Sequence, residues 1–133
     1  MFTDATKKAK VYYKIATMYG TGNKSQARTY AKKALAAKPS FGQAYMLIAQ
    51  LYASSANECG KTPFEKRAVN WLCAQYANKA AAVDPSLKAT ANRQAASYNG
   101  YAPSKTDIFN ADMAGKTVSF NCWIGESVRV PNL

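Results

Sequence analysis

A block of sequence that recurs once limits what this chain can fold into more than any other feature does. Residues 27–52 return 46 positions further along the chain. The matching residues are Tyr30, Ala31, Lys33, Ala34, Ala36, Pro39, Ser40 and Tyr52, which return as Tyr76, Ala77, Lys79, Ala80, Ala82, Pro85, Ser86 and Tyr98. Recurrence at a fixed spacing is typical of a repeat protein, whose units bury their apolar faces against their neighbours. Each copy predicts one helix, a stop at proline, and a second helix that packs back on the first.

Length and composition are those of one folded domain. The chain has 133 residues, of which 48% are apolar. No apolar run approaches the roughly 18 residues that a membrane-spanning helix needs. Residues 1–14 carry charges where a signal peptide has an apolar core. The chain is therefore cytoplasmic, or a signal and the residues after it are absent from this sequence. The repeat pattern starts close to Met1, which favours the second alternative.

The charge is strongly positive and unevenly distributed. The formal net charge is +11, and residues 1–57 hold nine Lys or Arg against one acid, Asp4. A positive field favours anionic partners, such as nucleic acid, acidic protein segments or lipid headgroups. Lysine greatly outnumbers arginine, whereas proteins that read bases prefer the planar fork of arginine. The composition therefore favours a solvated lysine-rich surface over a nucleic-acid interface.

The sequence gives little support to an enzyme. There is no histidine, and the three cysteines have no CxxC spacing, which removes the usual zinc sites and histidine acid–base catalysis. Among the seven acids, Asp107 and Asp112 fall in a predicted loop, and Glu65 lies at a helix start, where it favours the helix dipole. No glycine-rich phosphate loop is present. We expect no catalytic site, no metal and no cofactor.

Residues 1–98 predict five helices, and residues 99–133 predict a C-terminal extension. The helices are expected at residues 4–19 (capped by Thr3 or Asp4), 26–37 (capped by Ser25), 40–52, 63–83 and 86–98. Residues 54–63 form a polar insertion and are the best candidate for a loop. In the extension, residues 103–109 predict a helical turn and residues 116–130 a β-hairpin. Its apolar residues face one way, with a turn near Gly125: Val118, Phe120, Cys122, Val128 and Val130. Because an isolated hairpin is marginal in water, we expect it to pack on the last helices.

The pattern of large and small residues is that of a known repeat. The positions that carry it are Tyr12, Ile15, Ala16, Tyr19, Gly22, Ala27, Tyr30, Ala34 and Pro39, followed by Tyr45, Ile48, Ala49, Tyr52, Tyr76, Ala80 and Pro85. They resemble the tetratricopeptide (TPR) repeat over residues 8–98, with 86–98 similar to the first helix of a third unit. The departures are Cys73, where a small residue is usual, and the insertion. The resemblance implies a mainly α fold, an antiparallel helical-hairpin solenoid of about 2.5 repeats, and a non-catalytic protein–protein interaction scaffold.

A second, closer resemblance concerns the insertion and the tail. The residues that carry it are 54–60 (SSANECG), 64–69 (FEKRAV) and 122–126 (CWIGE). They are similar to TPR proteins of Bacteroidota-type bacteria that are longer, begin with a secretion signal and are taken to lie in the cell envelope. This resemblance implies that the chain is the C-terminal part of such a protein, located in the periplasm or at the outer membrane.

The TPR resemblance also implies a groove lined by the first helix of each repeat. The residues that it places there are Lys10, Tyr13, Lys14, Thr17, Gln43, Met46, Leu47, Gln50, Asn92 and Arg93. A positive surface with tyrosine suits an extended acidic peptide or a C-terminal carboxylate. TPR domains that clamp chaperone C-termini use Lys and Asn where this chain has Tyr13, Thr17 and Leu47, so we reject that particular ligand. The alternative is that these residues stack on a neighbouring repeat.

Cys59 in the insertion and Cys122 in the hairpin are candidates for a disulfide that ties the tail to the repeats. Closing such a loop stabilises by about 4 kcal/mol through loop-closure entropy, and it requires an oxidising compartment. The alternative is three independent thiols. Cys73 is expected to be a buried free thiol. Trp71 and Trp123 are expected to serve the core, with Trp123 docking the hairpin.

Three functions thus remain in view. The first is a scaffold in a bacterial envelope assembly, whose partner is an unidentified protein. The second is a basic module for nucleic acid or another polyanionic surface, whose binding would weaken steeply as salt rises. The third is a structural subunit whose repeat ends stack on other chains.

Overall fold

The computed structural model describes residues 4–133, and these are mainly helical with one small antiparallel sheet near the C-terminus. The elements in chain order are α1 (Ala5–Tyr19), α2 (Lys24–Ala37), α3 (Gly42–Ala53), α4 (Ala56–Cys59), α5 (Pro63–Val83), α6 (Lys88–Tyr101), α7 (Lys105–Ala111), β1 (Thr117–Ser119) and β2 (Ser127–Arg129). The predicted class, mainly α with a C-terminal β-hairpin, is confirmed.

Side-chain caps fix where α1 and α2 start. Asp4 caps α1 by accepting a hydrogen bond from the Thr6 amide at 2.8 Å, whereas Thr3 lies outside the described residues. The predicted cap of α2, Ser25, is wrong. A 3-10 turn at Gly20–Gly22 leaves Asn23 with φ −145°, and its side chain accepts from the Gln26 amide instead. The cap therefore lies two residues earlier than predicted.

The last long helix also starts later than predicted. The Asp84 carboxylate accepts from the Ser86 amide at 3.1 Å and caps a 3-10 turn at Pro85–Leu87. Helix α6 therefore begins at Lys88 and continues to Tyr101, rather than spanning residues 86–98. Both proline stops act as predicted, because Lys38 and Asp84 adopt extended backbone just before Pro39 and Pro85.

The long helices pack mainly on their neighbours in sequence. Helix α1 lies on α2, α2 on α3, α3 on α5, and α5 on α6. Buried alanines such as Ala16, Ala31 and Ala34 line these contacts. Their small side chains allow the helix axes to approach closely.

The sequence repeat is also a geometrical repeat. The rings of Tyr12 and Tyr30 lie 6.2 Å apart, and the Lys33 ammonium lies 4.6 Å from the Tyr30 ring. In the second copy, the rings of Tyr45 and Tyr76 lie 6.1 Å apart, and the Lys79 ammonium lies 4.4 Å from the Tyr76 ring. The same tyrosine–tyrosine–lysine arrangement therefore joins α1 to α2 and α3 to α5.

The insertion at residues 54–63 is more ordered than the loop that we predicted. It contains the single turn of α4, and Ser55 just before it is fully buried. The Ser55 hydroxyl donates to the Leu51 carbonyl and accepts from the Trp123 indole, both at 3.0 Å. The bond to Trp123, 68 positions away in sequence, therefore attaches the insertion to the tail.

The C-terminal residues form a compact cap on the helices. A capping box between Ser104 and Asp107 starts α7, where we predicted a helical turn. Strands β1 and β2 pair antiparallel as a hairpin, as predicted, and the register places Val118 opposite Val128. Each strand has only three residues, so Cys122 lies in the connection rather than in a strand. The hairpin contacts α5, the fourth of the five predicted helices, and its buried side chains share one core with α3 and α5.

Candidate functional site

Most residues of the predicted groove are exposed on three helices. Lys10, Lys14 and Thr17 are exposed on α1, Gln43 and Gln50 on α3, and Asn92 and Arg93 on α6. The remaining positions are not free surface. Tyr13 and Met46 are half-buried and Leu47 is buried.

Packing explains why the larger side chains turn inward. The Tyr13 ring meets the Phe41 ring edge-on at a centroid distance of 5.5 Å. Burial raises the pKa of Tyr13, so its hydroxyl stays protonated well above neutral pH. Met46 packs against the alanine cluster of α5 and α6, which includes Ala74 and Ala95. These side chains join helices and leave the polar positions to face solvent.

A pocket of about 470 Å³ brings part of the predicted site together, at the starts of α1 and α3 and the turn before α6. It is lined by Thr6, Lys10, Lys38, Ser40, Phe41, Gln43, Val83, Asp84, Pro85 and Ser86. We call it the three-helix pocket. Lys10 and Gln43 are the predicted residues that it contains. The sequence prediction missed Lys38, although its position just before Pro39 places it beside the start of α3.

The three-helix pocket is electrostatically positive. Its acid, Asp84, is engaged by the protein, since one carboxylate oxygen accepts from the Gly42 amide at 3.2 Å and the other from the Ser86 amide at 3.1 Å. Within residues 4–133, neither Lys10 nor Lys38 forms an ion pair. Two lysines without an ion pair line the same pocket as Gln43, and such a lining suits a carboxylate or another anion.

A second polar centre holds the tail on the helices, and sequence reasoning did not find it. The hydroxyls of Tyr52 and Tyr76 both donate to Oε2 of Glu126, at 2.5 and 2.7 Å. The Arg28 guanidinium donates to the carbonyls of Ile124 (2.7 Å) and Trp123 (2.8 Å). These partners lie far apart in sequence, so no local spacing indicated them.

The side chains of this centre protect each other from solvent. Burial and the hydrogen bond to Glu126 raise the pKa of Tyr52 to about 12. The same two causes raise the pKa of Tyr76. The Trp123 ring lies 5.4 Å from the Tyr52 ring and 4.9 Å from the Arg28 guanidinium carbon. Trp123 docks the hairpin as expected, and the polar groups of this centre satisfy one another.

The cysteines adopt one of the two arrangements that the sequence left open. Cys59 and Cys122 are joined by a disulfide, with their Cα atoms 5.4 Å apart. Cys73 is a free thiol with no exposed surface, and burial raises its pKa to about 12. Trp71 is half-buried and packs on Phe64 at 6.1 Å. The disulfide attaches the insertion to the tail beside the Glu126 centre.

Residues 4–133 contain no cluster of acidic, cysteine or histidine side chains that suits a metal ion. In the same range, every helix is too short or too polar to span a bilayer. Comparison of the chain with protein-family models, curated proteins and solved structures finds no match.

Proposed function

We propose that the chain is a non-catalytic scaffold that binds an extended acidic segment of a partner protein. The observation that carries this proposal is the three-helix pocket, where Lys10 and Lys38 lie unpaired beside Gln43. The exposed side chains of Lys14, Gln50 and Arg93 extend the same polar character over α1, α3 and α6. Amide and ammonium donors along such a surface suit the carboxylates and backbone carbonyls of a peptide.

The arrangement of the helices that we propose is a TPR-like solenoid of about 2.5 repeats. Two observations support it: the packing of each long helix on its neighbours in sequence, and the recurrence of the tyrosine–tyrosine–lysine arrangement. Helices α1, α3 and α6 would then be the first helices of successive repeats, with the groove residues on one side. Such a surface is open and can take an extended ligand.

We place the protein in an oxidising compartment, the bacterial cell envelope. The Cys59–Cys122 disulfide supports this location. Disulfides persist in the periplasm, whereas the cytosol keeps thiols reduced.

A display library of random peptides, selected against the chain under oxidising conditions, tests the proposal. We expect the selected peptides to be acidic and to bind the Lys10→Glu/Lys38→Glu variant at least about tenfold more weakly. The matched control is Lys32→Glu/Lys61→Glu, which changes two exposed lysines outside the pocket and alters the net charge equally. This control should bind as the wild type does. Selected peptides without acids, or peptides that bind the pocket variant unchanged, would overturn the proposal.

A polyanion-binding module is a second candidate, favoured by the net charge of +11. Its signature differs, because binding to heparin or duplex DNA depends on total charge and on counterion release. This function would be supported over the scaffold if Lys10→Glu/Lys38→Glu and Lys32→Glu/Lys61→Glu weakened binding equally and if the affinity fell steeply as salt rises. Salt-independent affinity would exclude it.

A further inference from the structure

We infer that α1 presents a docking face for an amphipathic helix of a partner protein, one with small apolar residues on its contact side and acidic residues on its flanks. The face consists of Val11, Ile15, Met18 and Tyr19, spaced along one side of the helix. Val11 is 58% exposed, Met18 78% and Tyr19 38%. This side of α1 is separate from the side that carries Lys10 and Thr17, so the inference is independent of the proposed groove.

The internal repeat identifies the kind of element that covers such a face. Helix α3 is the counterpart of α1, 33 positions later, so that Tyr12 corresponds to Tyr45 and Ala16 to Ala49. In α3, the residues equivalent to the docking face are Ala44, Ile48, Leu51 and Tyr52, and all are at most 2% exposed. The two helices thus carry apolar residues at the same positions. They are buried in α3, whereas in α1 Val11 and Met18 are largely exposed and the Tyr19 ring stacks on Tyr30 at 5.8 Å.

Helix α2 packs between α1 and α3, and on this side of α3 the Arg28 guanidinium of α2 donates a hydrogen bond to the Tyr52 hydroxyl. The fully buried residues of α2 are all small: Ala27, Ala31 and Ala34. We expect a helix with the same small-residue face to fit on α1, since alanines let two helices approach closely. The repeat therefore indicates the kind of helix that suits this face.

Charge specifies the flanks of the occupant and argues against a second copy of this chain. Lys8 and Lys14 border the docking face, and Lys8 and Lys33 line a small pocket of about 240 Å³ beside it. The one acid in residues 1–57, Asp4, is engaged as the cap of α1. Two copies joined through this face would bring their lysines together, whereas acidic flanks on a partner helix would complement them.

The chain itself supplies a probe for the test. A fluorescent peptide of residues 23–39 reproduces α2, and the substitutions Lys24→Glu, Lys32→Glu and Lys33→Glu give it acidic flanks. We expect the acidic peptide to bind the oxidised full chain saturably, and the unmodified basic peptide to bind at least about tenfold more weakly. Ala31→Glu in the acidic peptide, which breaks its small-residue face, should abolish binding.

Variants of the full chain locate the binding site. Val11→Glu/Met18→Glu changes two exposed side chains of the docking face and should weaken binding of the acidic peptide at least about tenfold. The control Tyr101→Glu/Phe109→Glu changes two other exposed apolar residues on helices, 66% and 72% exposed, and should leave binding unchanged. The Lys10→Glu/Lys38→Glu variant should still bind the acidic peptide. That result would show that the docking face is distinct from the groove. Equal circular dichroism and thermal melting across the variants would show that each is folded.

Several results would overturn the inference. One is no saturable binding of the acidic peptide to the folded wild type. Another is equal loss of binding in the docking-face variant and the control. A third is a wild-type dimer in sedimentation that Val11→Glu/Met18→Glu dissociates, since a second copy would then be the occupant.

Discussion

The Tyr52 hydroxyl donates to the Glu126 carboxylate at 2.5 Å across 74 positions of sequence, and this bond joins the tail to the helical core. Tyr76 donates to the same oxygen from α5. Helices α3 and α5 therefore meet the tail at one acceptor. Hydrogen bonds to a charged acceptor are stronger than neutral ones, and a fully buried Tyr52 shields this one from water.

Replacing Glu126 should loosen the tail. Glu126→Gln keeps the shape but removes the charge, and we expect a loss of about 1–2 kcal/mol in the free energy of unfolding. Glu126→Ala leaves two phenols without an acceptor and should cost about 2–3 kcal/mol. Urea unfolding measures both. Glu58→Gln, at an exposed ion pair with Lys24, is the control and should change little. Equal stability of Glu126→Ala and the wild type would contradict this role.

Arg28 should not be replaceable by lysine. Its planar guanidinium donates hydrogen bonds to the carbonyls of Trp123 and Ile124 and to the Tyr52 hydroxyl at the same time. Lysine is a point charge without this fork, so Arg28→Lys should cost about 1–2 kcal/mol. The tail should also become more sensitive to limited proteolysis. The control is Arg93→Lys, at an exposed arginine of α6. If the tail of Arg28→Lys resisted proteolysis as well as that of Arg93→Lys, this role of Arg28 would be refuted.

The disulfide predicts a definite thiol count. Denatured, unreduced protein should expose one free thiol, that of Cys73, and reduction should raise the count to three. Because the cross-link closes a loop across 63 positions, its reduction should lower the free energy of unfolding by about 3–4 kcal/mol. Cys73→Ala should abolish the free thiol and keep the cross-link. Three thiols in the oxidised protein would rule the disulfide out.

Stability should fall in alkaline solution. The pKa of Cys73 is raised from 9.0 to about 12 and that of Tyr52 from 10.0 to about 12, both chiefly by burial. The unfolded chain therefore loses these protons first, and the free energy of unfolding declines as pH rises between about 9 and 12. Below this window their contribution is fully present. Urea midpoints across the window measure the decline. Tyr52→Phe should flatten it from pH 10 upward, and an unchanged slope in this variant would contradict the assignment.

Glycine is needed where the insertion meets α5. A Cβ atom on Gly60 would lie 2.5 Å from the Lys66 amide nitrogen and 2.7 Å from its Cα atom, so backbone must move. We expect Gly60→Ala to cost about 1–3 kcal/mol in the free energy of unfolding. Gly100→Ala is the matched control, since its Cβ would meet nothing within 4 Å in α6. That change should be neutral or stabilise by about 0.5–1 kcal/mol. Similar unfolding midpoints for both variants would disprove the close approach.

Much of the fold could be predicted because it depends on neighbours in sequence. The proline stops at Pro39 and Pro85, the start of α5 at Pro63 and the hairpin at residues 116–130 all follow from local patterns. The cap at Asn23 was missed, since it requires the geometry of the preceding turn. The resemblance to TPR repeats led us to expect Lys10 and Lys14 on the surface. It did not indicate that Lys10 and Lys38 line one pocket, because this depends on how α1 meets the start of α3.

The sequence by itself determined the helical repeat, the excess of positive charge and the absence of histidine chemistry. Only the tertiary structure decided how the tail is held, where Arg28 and Glu126 contact partners more than 70 positions away. It also decided which apolar faces are covered, since α1 and α3 carry similar residues at equivalent positions. The physical reason is that periodicity encodes which side of a helix is apolar, whereas burial depends on the element packed against it.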